Sequence, residues 1–341
     1  MALSPSDIDK TNPAGWPAVA LEAFERAITV EYTSLTRAGA PIMVPLTPFL
    51  GEDRLTVDVS TGLTYPTKAE RARRNPKVSL LFSDPVGSGL PNPPIVLVQG
   101  LATVCDRDIQ ANTDRYVRVA LAKLPAAYRG VPPFILRRLT GYFARIWIKV
   151  TPTQIWWWES ASLDQPPEQW TAPATTMAPP SDLAPPGKQP AAWLEPPADW
   201  RALAERATSQ LHQRDVAWID SNGFPLCVPV LDVQRSDNGF RLRLGDHVPA
   251  TPDGPACLTF HDHQEVFTGQ ENHTFIGALT SEGGDCVFVV EKALAGFSLA
   301  GSRFRRTVHF LNNVRRLSPR VASEAARRSQ PVPTIHLPPA S

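Results

Sequence analysis

Three threonines and a lysine lie within eight consecutive residues, and this combination of hydroxyl and ammonium groups suits a phosphate. Thr61 and Thr64 fall in a polar turn, and Thr67 and Lys68 open a segment of helix-forming residues. The start of a helix offers backbone N–H groups, to which these side chains add hydroxyl donors and one positive charge. Spacing alone favours another interpretation, a solvent-exposed basic helix that covers the edge of a sheet.

The seven histidines form a second group of candidate ligands, because all of them lie in the second half of the chain. His261 and His263 fall at the end of a predicted strand, where alternate side chains point the same way, and they could share a metal ion with Glu265 or His273. Histidines at a strand end more often hydrogen-bond with neighbouring residues, and we assign no metal site. Haem is a further alternative, but no histidine stands out as its axial ligand.

The threonines and the lysine belong to a predicted unit of strand, turn, helix and strand. Apolar and polar residues alternate over residues 55–60, which predicts a half-buried strand. Helix-forming residues occupy 67–74, and Asn75-Pro76 ends this helix because proline cannot continue it. The apolar residues 78–82 then predict the second strand.

This unit, with Lys68-Ala69, Asn75-Pro76 and the strand-glycine-strand pattern around Gly100, resembles the pyridoxamine 5'-phosphate oxidase-like family over about residues 20–158. The resemblance implies a six-stranded split β-barrel that binds FMN, or the deazaflavin F420, at a dimer interface. It also implies that the lysine pairs with the cofactor phosphate. The residues implied to donate hydrogen bonds to that phosphate are Thr61, Thr64 and Thr67.

The same resemblance assigns residues to the cofactor ring. The residues implied to lie along the ring are Met43, Val44, Pro45 and Trp156. The first three belong to the predicted strand 41–46, which lacks the basic residue that family members commonly carry there. Trp156 is one of three consecutive tryptophans, any of which could stack on the ring or simply form part of the barrel wall.

Arginines are the candidates for a longer anionic tail such as that of F420. Arg71, Arg73 and Arg74 lie on the predicted helix that carries Lys68. Three further arginines within 303–306 could reach an anionic tail from the second half of the chain, or could form a solvent-exposed edge.

The overall composition excludes several classes of protein. Lys and Arg total 34 against 33 Asp and Glu, which leaves no bulk charge to favour nucleic acid or a membrane surface. The polar N-terminal segment and the absence of a long apolar run predict a cytoplasmic protein without a signal peptide. The four cysteines have no CxxC spacing and are expected to be reduced, buried thiols. No phosphate-binding loop, GxGxxG, GxSxG or HExxH motif is present.

The second half of the chain repeats the first. Residues 39–46 reappear as residues 223–230, and Trp16 reappears as Trp200, both at an offset of 184 residues. The repeat lacks the lysine-bearing helix, because only a short turn-rich segment over 245–255 connects the corresponding strands. We therefore predict a mainly β protein with flanking helices, in which two tandem split β-barrels form an intramolecular pseudo-dimer with one cofactor site.

This repeat predicts four regions. They are a cofactor-binding split barrel over 1–160, a Pro-rich linker over 161–197, a degenerate split barrel over 198–317 and a flexible tail over 318–341. Prolines in the linker predict an extended, solvated segment. The alternative is two independent barrels in a chain that forms a homodimer through its first barrel.

These observations predict an FMN- or F420-dependent oxidoreductase that acts on a small molecule, with FMN as the first choice and haem as the least favoured cofactor. The alternative is a haem- or flavin-binding protein, such as a sensor, that has no catalytic turnover. We expect neither nucleic acid nor a membrane as a partner, and a monomer and a homodimer are both compatible with the pattern. We assign no catalytic acid or base.

Overall fold

A computed structural model describes residues 12–159, 162–188, 195–197, 199–265, 269–282, 285–298 and 317–338. The predicted arginine cluster within 303–306 lies outside these residues, as does His309.

The first half forms a curled antiparallel sheet surrounded by helices. Its strands are β1 (Val30–Leu35), β2 (Pro41–Leu46), β3 (Phe49–Leu50), β4 (Val57–Gly62), β5 (Lys77–Phe82), β6 (Ile95–Cys105), β7 (Arg145–Trp158) and β8 (Glu168–Thr171). Its helices are α1 (Ala18–Arg26), α2 (Thr67–Arg74), α3 (Ile109–Lys123), α4 (Pro125–Tyr128), α5 (Pro133–Leu136) and α6 (Thr140–Phe143). The strand order is β2-β1-β5-β6-β7-β4-β3, and β8 pairs with β7.

The second half repeats this topology. Its elements are α7 (Arg201–Gln210), β9 (Gln213–Ile219), β10 (Pro225–Pro229), β11 (Asp232–Ser236), β12 (Gly239–Arg243), β13 (Gly254–Asp262), β14 (Glu271–Glu282), β15 (Asp285–Ala293) and β16 (Phe297–Ser298). The order β10-β9-β13-β14-β15-β12-β11 matches that of the first sheet strand for strand. Residues 244–253, which connect β12 to β13, contain no helix, whereas the corresponding connection in the first half contains α2.

The two sheets pack against each other through equivalent strands. β2 contacts β13, and β10 contacts β5. The Met43 backbone N–H donates to Cys257 Sγ over 3.3 Å, and side-chain atoms of the equivalent residues, Ser79 Oγ and Cys227 Sγ, lie 3.3 Å apart. One continuous apolar core joins the two halves at this contact. The predicted fold class, mainly β with flanking helices and two tandem split barrels, is confirmed.

The closing segment of the first barrel differs from the expected hairpin. Residues 145–158 form one long strand, β7, instead of two strands joined by a turn. The register with β6 shifts between Gln99 and Gly100, so a bulge absorbs the residues near Pro152 that resemble a turn. Gly100 permits this bulge, because a Cβ atom there would lie 2.6 Å from Thr151 O.

The Pro-rich segment runs along the first barrel, and most of its described residues beyond 171 are exposed, as expected for a solvated segment. β8 extends the sheet, and the residues that follow return along the end of β6. Ser181 Oγ accepts from the Val104 N–H over 2.9 Å, and the Asp182 N–H donates to Val104 O over 2.9 Å. Proline could supply neither bond, because it has no side-chain hydroxyl to accept as Ser181 does and no backbone N–H to donate as Asp182 does.

The C-terminal segment also differs from the expected flexible tail. Residues 317–327 form a helix, named α8 here, whose Val321 and Ala325 are buried in the core of the first barrel. Arg328 Nε, just beyond the helix, lies 2.9 Å from Asp106 Oδ2. The many arginines and prolines of this segment predict a tail, because its apolar stripe is short and consists mainly of Val321 and Ala325.

The described helices include none that is both long and apolar enough to span a membrane. All four cysteines are free thiols, and Cys227, Cys257 and Cys286 are buried.

Candidate functional site

Helix α2 places Lys68 and Arg71 one turn apart on the first barrel. Its alanines, Ala69 and Ala72, are fully buried, and the helix packs on β1, β6 and β7 through this small-residue face. Residues three apart on a helix lie on the same side, so Lys68 and Arg71 are neighbours. No side chain caps the N-terminus of α2 by a hydrogen bond.

Lys68 lies close to two other cations. Burial, Arg71 and Arg145 together lower the pKa of Lys68 to about 8, and no carboxylate acts against them. Burial likewise lowers the pKa of Arg71. Lys68 forms neither a hydrogen bond nor an ion pair with any residue that the structure describes. A half-buried group of cations without an acid is stabilised by a bound anion.

Arg145, the first residue of β7, is fixed beside this group by aromatic side chains. Its guanidinium donates to Tyr116 Oη over 3.0 Å and stacks 4.2 Å from the centre of the Tyr116 ring. A second ring, that of Tyr142, lies 4.9 Å away. Burial opposes the charge of Arg145, but the two tyrosines outweigh this effect and raise its pKa. The guanidinium therefore stays charged without an acidic partner.

The three predicted threonines have different environments. Thr61 Oγ1 donates to Tyr65 O over 2.7 Å, so this hydroxyl closes the turn that precedes α2. The Thr64 hydroxyl is buried and has no hydrogen-bond partner in the described part of the chain. Thr67 is exposed at the first residue of α2. Thr64 is therefore the threonine whose buried hydroxyl a ligand could satisfy.

One further cation at this site comes from the C-terminal helix. Arg320 of α8 donates to Thr64 O over 3.4 Å, and its guanidinium lies 5.9 Å from the centre of the Tyr65 ring. Sequence reasoning missed Arg320, because nothing in the local pattern predicts that residues 317–327 pack on the first barrel. We refer to Thr64, Lys68, Arg71, Arg145 and Arg320 as the cationic cradle.

The predicted ring-binding strand is largely occupied by contacts with the second half. Met43 is fully buried, its N–H donates to Cys257 Sγ, and its carbonyl oxygen accepts from Thr259 Oγ1 over 3.3 Å. Val44 and Pro45 are half-buried on the same strand. Of the three predicted ring-binding residues on β2, Val44 and Pro45 therefore keep accessible surface, and the main-chain groups of Met43 are already satisfied.

Trp156 lies away from the cationic cradle. It is near the end of β7, whereas Arg145 begins that strand. Its side chain lines a cleft of about 400 Å³ between the two halves. Other residues lining this cleft are Gln154, Gln169, Asp220, Leu226 and Pro249. The structure therefore places Trp156 beside the second barrel and does not bring it together with Lys68.

The equivalent of the cradle in the second half is filled by the chain itself. Leu163 is fully buried and packs on Gly245, and the His247 N–H donates to Leu163 O over 3.2 Å. The Trp158 indole N–H donates to His247 O over 3.2 Å. Leu163 therefore occupies this position in the second half, and within the described residues the cationic group beside α2 has no counterpart built on an equivalent helix.

A second polar cluster lies between the two halves. His261 Nε2 is 2.9 Å from Glu31 Oε1 and 3.7 Å from Asp215 Oδ2, and all three residues are buried. Burial and Asp215 raise the pKa of Glu31 to about 7. Burial alone would lower the pKa of His261, but Asp215 and Glu31 raise it to about 10. Sequence reasoning missed both acids, although the repeat offset of 184 residues relates them.

The other predicted metal ligands do not join this cluster. His263 Nε2 lies 3.0 Å from Asp84 Oδ2, and His273 Nε2 lies 2.9 Å from Glu271 Oε1 in a separate pair. The structure therefore keeps His261 and His263 near one another, on either side of Asp84, and places His273 apart from them. Each of these buried histidines has a carboxylate beside it.

Comparison with known proteins found similarity at the level of structure. No protein-family model matches the sequence, and no curated protein matches it. A pyridoxamine 5'-phosphate oxidase-related, FMN binding protein from Nostoc punctiforme is 16% identical with a TM-score of 0.32, and the match covers 43% of this chain and 85% of that protein. An F420 reductase is 17% identical with a TM-score of 0.30, over 39% of this chain and 92% of that protein.

A third solved structure is a protein from Clostridium acetobutylicum related to general stress protein 26, of the pyridoxinephosphate oxidase family. It is 15% identical with a TM-score of 0.30, over 45% of this chain and 91% of that protein. The structural neighbours are pyridoxamine phosphate oxidase-like and flavin-binding proteins. They belong to the same family that residues 20–158 resemble in sequence.

Proposed function

We propose that this chain is a flavin- or deazaflavin-dependent oxidoreductase in which the cationic cradle binds the phosphate of a single cofactor. The observation that carries the proposal is the partly buried pair of Lys68 and Arg71 beside Arg145, with no carboxylate to neutralise them. The buried Thr64 hydroxyl without a described partner adds a donor of the kind that a phosphate oxygen satisfies. The class of cofactor comes from the sequence resemblance.

Each residue of the cradle has a distinct part in this proposal. Lys68 and Arg71 bind the phosphate, Thr64 donates a hydrogen bond to it, and Arg145 holds a fixed positive charge beside it. Arg320 connects α8 to the turn that carries Thr64. The second barrel forms the opposite wall and limits the access of water. A bound flavin or deazaflavin would supply the hydride or electron transfer, and the chain would bind and orient it.

FMN is preferred over F420 because one of the predicted outer arginines is already engaged. Arg73 forms ion pairs with Glu70 at 2.7 Å and with Asp106 at 2.8 Å. Arg74 remains exposed on the same helix. The cationic cradle can therefore bind one phosphate, whereas only Arg74 of the two outer arginines remains to bind a long anionic tail.

We also propose that the tethered second barrel takes the place of a partner subunit. A linker keeps the second barrel at a high effective concentration, so the two barrels of one chain pair before two chains do. The expected particle is a monomer with one cofactor, and sedimentation of the purified chain tests this. A cytoplasmic location, a small-molecule substrate and the absence of nucleic-acid or membrane partners stay predictions.

The first experiment is an absorption spectrum of the purified chain, with mass spectrometry of the molecule that denaturation releases. The spectrum is followed by titration of the cofactor-free chain with FMN and with F420. We expect one flavin or deazaflavin per chain. Uptake of neither would contradict the proposal, and a Soret band would indicate haem instead.

Substitution of Lys68 localises the binding. Lys68→Gln is expected to weaken FMN binding about 10- to 100-fold, the scale of the about 1.5–3 kcal/mol of a hydrogen bond to a charged group. Arg37→Gln is the matched control, because it removes one positive charge from the exposed turn between β1 and β2. Equal affinity of the two variants would remove the cradle assignment. Oxidation of reduced cofactor by added acceptors then separates an enzyme from a flavin-binding protein without turnover.

A further inference from the structure

Three strands from both halves of the chain bring together two carboxylates and one imidazole. Glu31 comes from β1, Asp215 from β9 and His261 from β13, and one potential ligand atom of each lies within 4.8 Å of those of the other two. The imidazole nitrogen is 2.9 Å from one carboxylate oxygen and 3.7 Å from the other. Neighbouring ligands of a four-coordinate zinc ion, each about 2.0–2.2 Å from the metal, lie about 3.3–3.6 Å apart, so the contact between His261 and Glu31 would lengthen by about 0.5 Å to admit the ion.

The two carboxylates are related by the internal repeat. Glu31 pairs with Leu81 in the first sheet, and Asp215 pairs with Thr259, the equivalent residue, in the second. The repeat therefore places one acid from each half on either side of the interface. His261 has Ser83 as its equivalent in the first half, so only one of the two equivalent positions supplies a nitrogen ligand.

The two carboxylates of this cluster need neutralising charge, which protons or a metal cation can supply. Neither carboxylate is accessible to solvent, and the cluster carries two negative charges when His261 is neutral. The Ser83 hydroxyl lies 2.9 Å from Glu31 Oε2 and 3.0 Å from Asp215 Oδ1, but it has one hydrogen to donate. Buried charges must be paired, so two protons or one divalent cation would have to neutralise the pair.

Two further polar side chains, those of Gln213 and Asp84, lie beside the three residues of the cluster. The Gln213 side-chain amide donates to Asp215 Oδ1 over 3.0 Å. Asp84 Oδ2 lies 3.9 Å from His261 Nδ1, on the side of the ring opposite to Glu31. At this distance Asp84 is a nearby negative charge and not a hydrogen-bond partner of His261, because the same oxygen lies 3.0 Å from His263 Nε2.

We propose that Glu31, Asp215 and His261 bind one divalent transition-metal ion, with zinc as the expected ion, which joins the two halves of the chain. Imidazole nitrogen and carboxylate oxygen are both accepted by zinc, and the ion would balance the two carboxylates while His261 releases its proton to solvent. The site is separate from the cationic cradle and does not depend on the proposed cofactor. Its role is structural, because all three ligands are buried.

The test uses the full chain, stripped of metal with a chelator and then titrated with zinc chloride. Elemental analysis is expected to give one zinc per chain, and the melting temperature is expected to rise with the zinc concentration. Loss of a residue that hydrogen-bonds to a metal ligand typically lowers metal affinity about 10- to 100-fold. Asp215→Asn removes a ligand itself, so it is expected to lower zinc affinity by at least about 100-fold. His273→Gln is the matched control, because its imidazole pairs with Glu271 outside the cluster.

Three results would overturn the proposal. The first is that the unaltered chain takes up no zinc, and the second is that Asp215→Asn binds zinc as well as the unaltered chain does. A variant that loses a buried carboxylate can fail to fold, so cobalt in the unaltered chain provides an independent measurement. Bound cobalt is expected to give the ring protons of its ligand His261 the large contact shifts of a coordinated imidazole. The third contrary result is the absence of any such shift, which would leave protons to neutralise the cluster.

Discussion

Glu31 and Asp215 face each other across the two halves of the chain and share the hydroxyl of Ser83, which lies 2.9 Å from the first carboxylate and 3.0 Å from the second. Glu31 lies on β1 and Asp215 on the equivalent strand β9, so this contact places a polar cluster in the interface between the two repeats. The apolar part of the interface surrounds it and continues into the core of the second barrel.

Ser83 is expected to be important for stability. Ser83→Ala removes a donor from two buried carboxylates, and leaving a buried acceptor unsatisfied costs about 1–3 kcal/mol of unfolding free energy. Ser209→Ala is the control, because that hydroxyl is exposed and donates only to carbonyls of its own helix. Denaturant unfolding of the two variants provides the comparison. Equal stabilities would contradict the importance of the shared hydroxyl.

The charge of Lys68 predicts two opposite effects of pH. The folded chain releases this proton near pH 8, whereas the ordinary pKa is 10.5, so the unfolded chain holds more protons between these values. The stability of the cofactor-free protein should therefore rise with pH across this window, relative to Lys68→Gln. Binding of FMN requires the ammonium, so affinity should fall as the pH rises through about 8. Parallel pH profiles of the two proteins, in unfolding and in FMN titration, would contradict the assigned environment.

Leu163 is expected to behave as a core residue although it lies at the start of the Pro-rich segment. Leu163→Ala should lower the unfolding free energy by about 2–5 kcal/mol, the range for buried leucines. Leu183→Ala is a matched control in the same segment, because Leu183 is 91% exposed, and it should change stability by less than about 0.5 kcal/mol. Urea unfolding measures both. If Leu163→Ala proves as mild as the control, the second cradle is not filled in the way described.

Arg328 is expected to hold the C-terminal segment on the first barrel. Its guanidinium lies 2.9 Å from Asp106 and 2.6 Å from Glu324, and all three side chains are buried. Arg328→Ala leaves two buried carboxylates with fewer partners, which should cost about 3–5 kcal/mol. Arg129→Ala is the control, because Arg129 is exposed. Cleavage near residues 317–338 by a protease should also become faster in Arg328→Ala, and unchanged cleavage would argue against this role.

The sequence by itself determined the local elements and their repetition. The strand, helix and strand around Lys68 follow from short-range patterns, namely the alternation over 55–60, the helix formers over 67–74 and the proline that ends the helix. The offset of 184 residues similarly identified a second barrel and the absence of its lysine-bearing helix. These features depend on neighbours in the chain or on direct comparison of two segments.

Only the tertiary structure decided which groups remain available for a ligand. Met43 has its main-chain groups satisfied by the second half, Trp156 faces another cleft, and Arg320 reaches the cradle from the end of the chain. Likewise, the pairing of Glu31 with His261 joins residues from different repeats. Such contacts depend on the packing of strands that are far apart in sequence, and the local periodicity that specifies each strand carries no information about which surfaces meet.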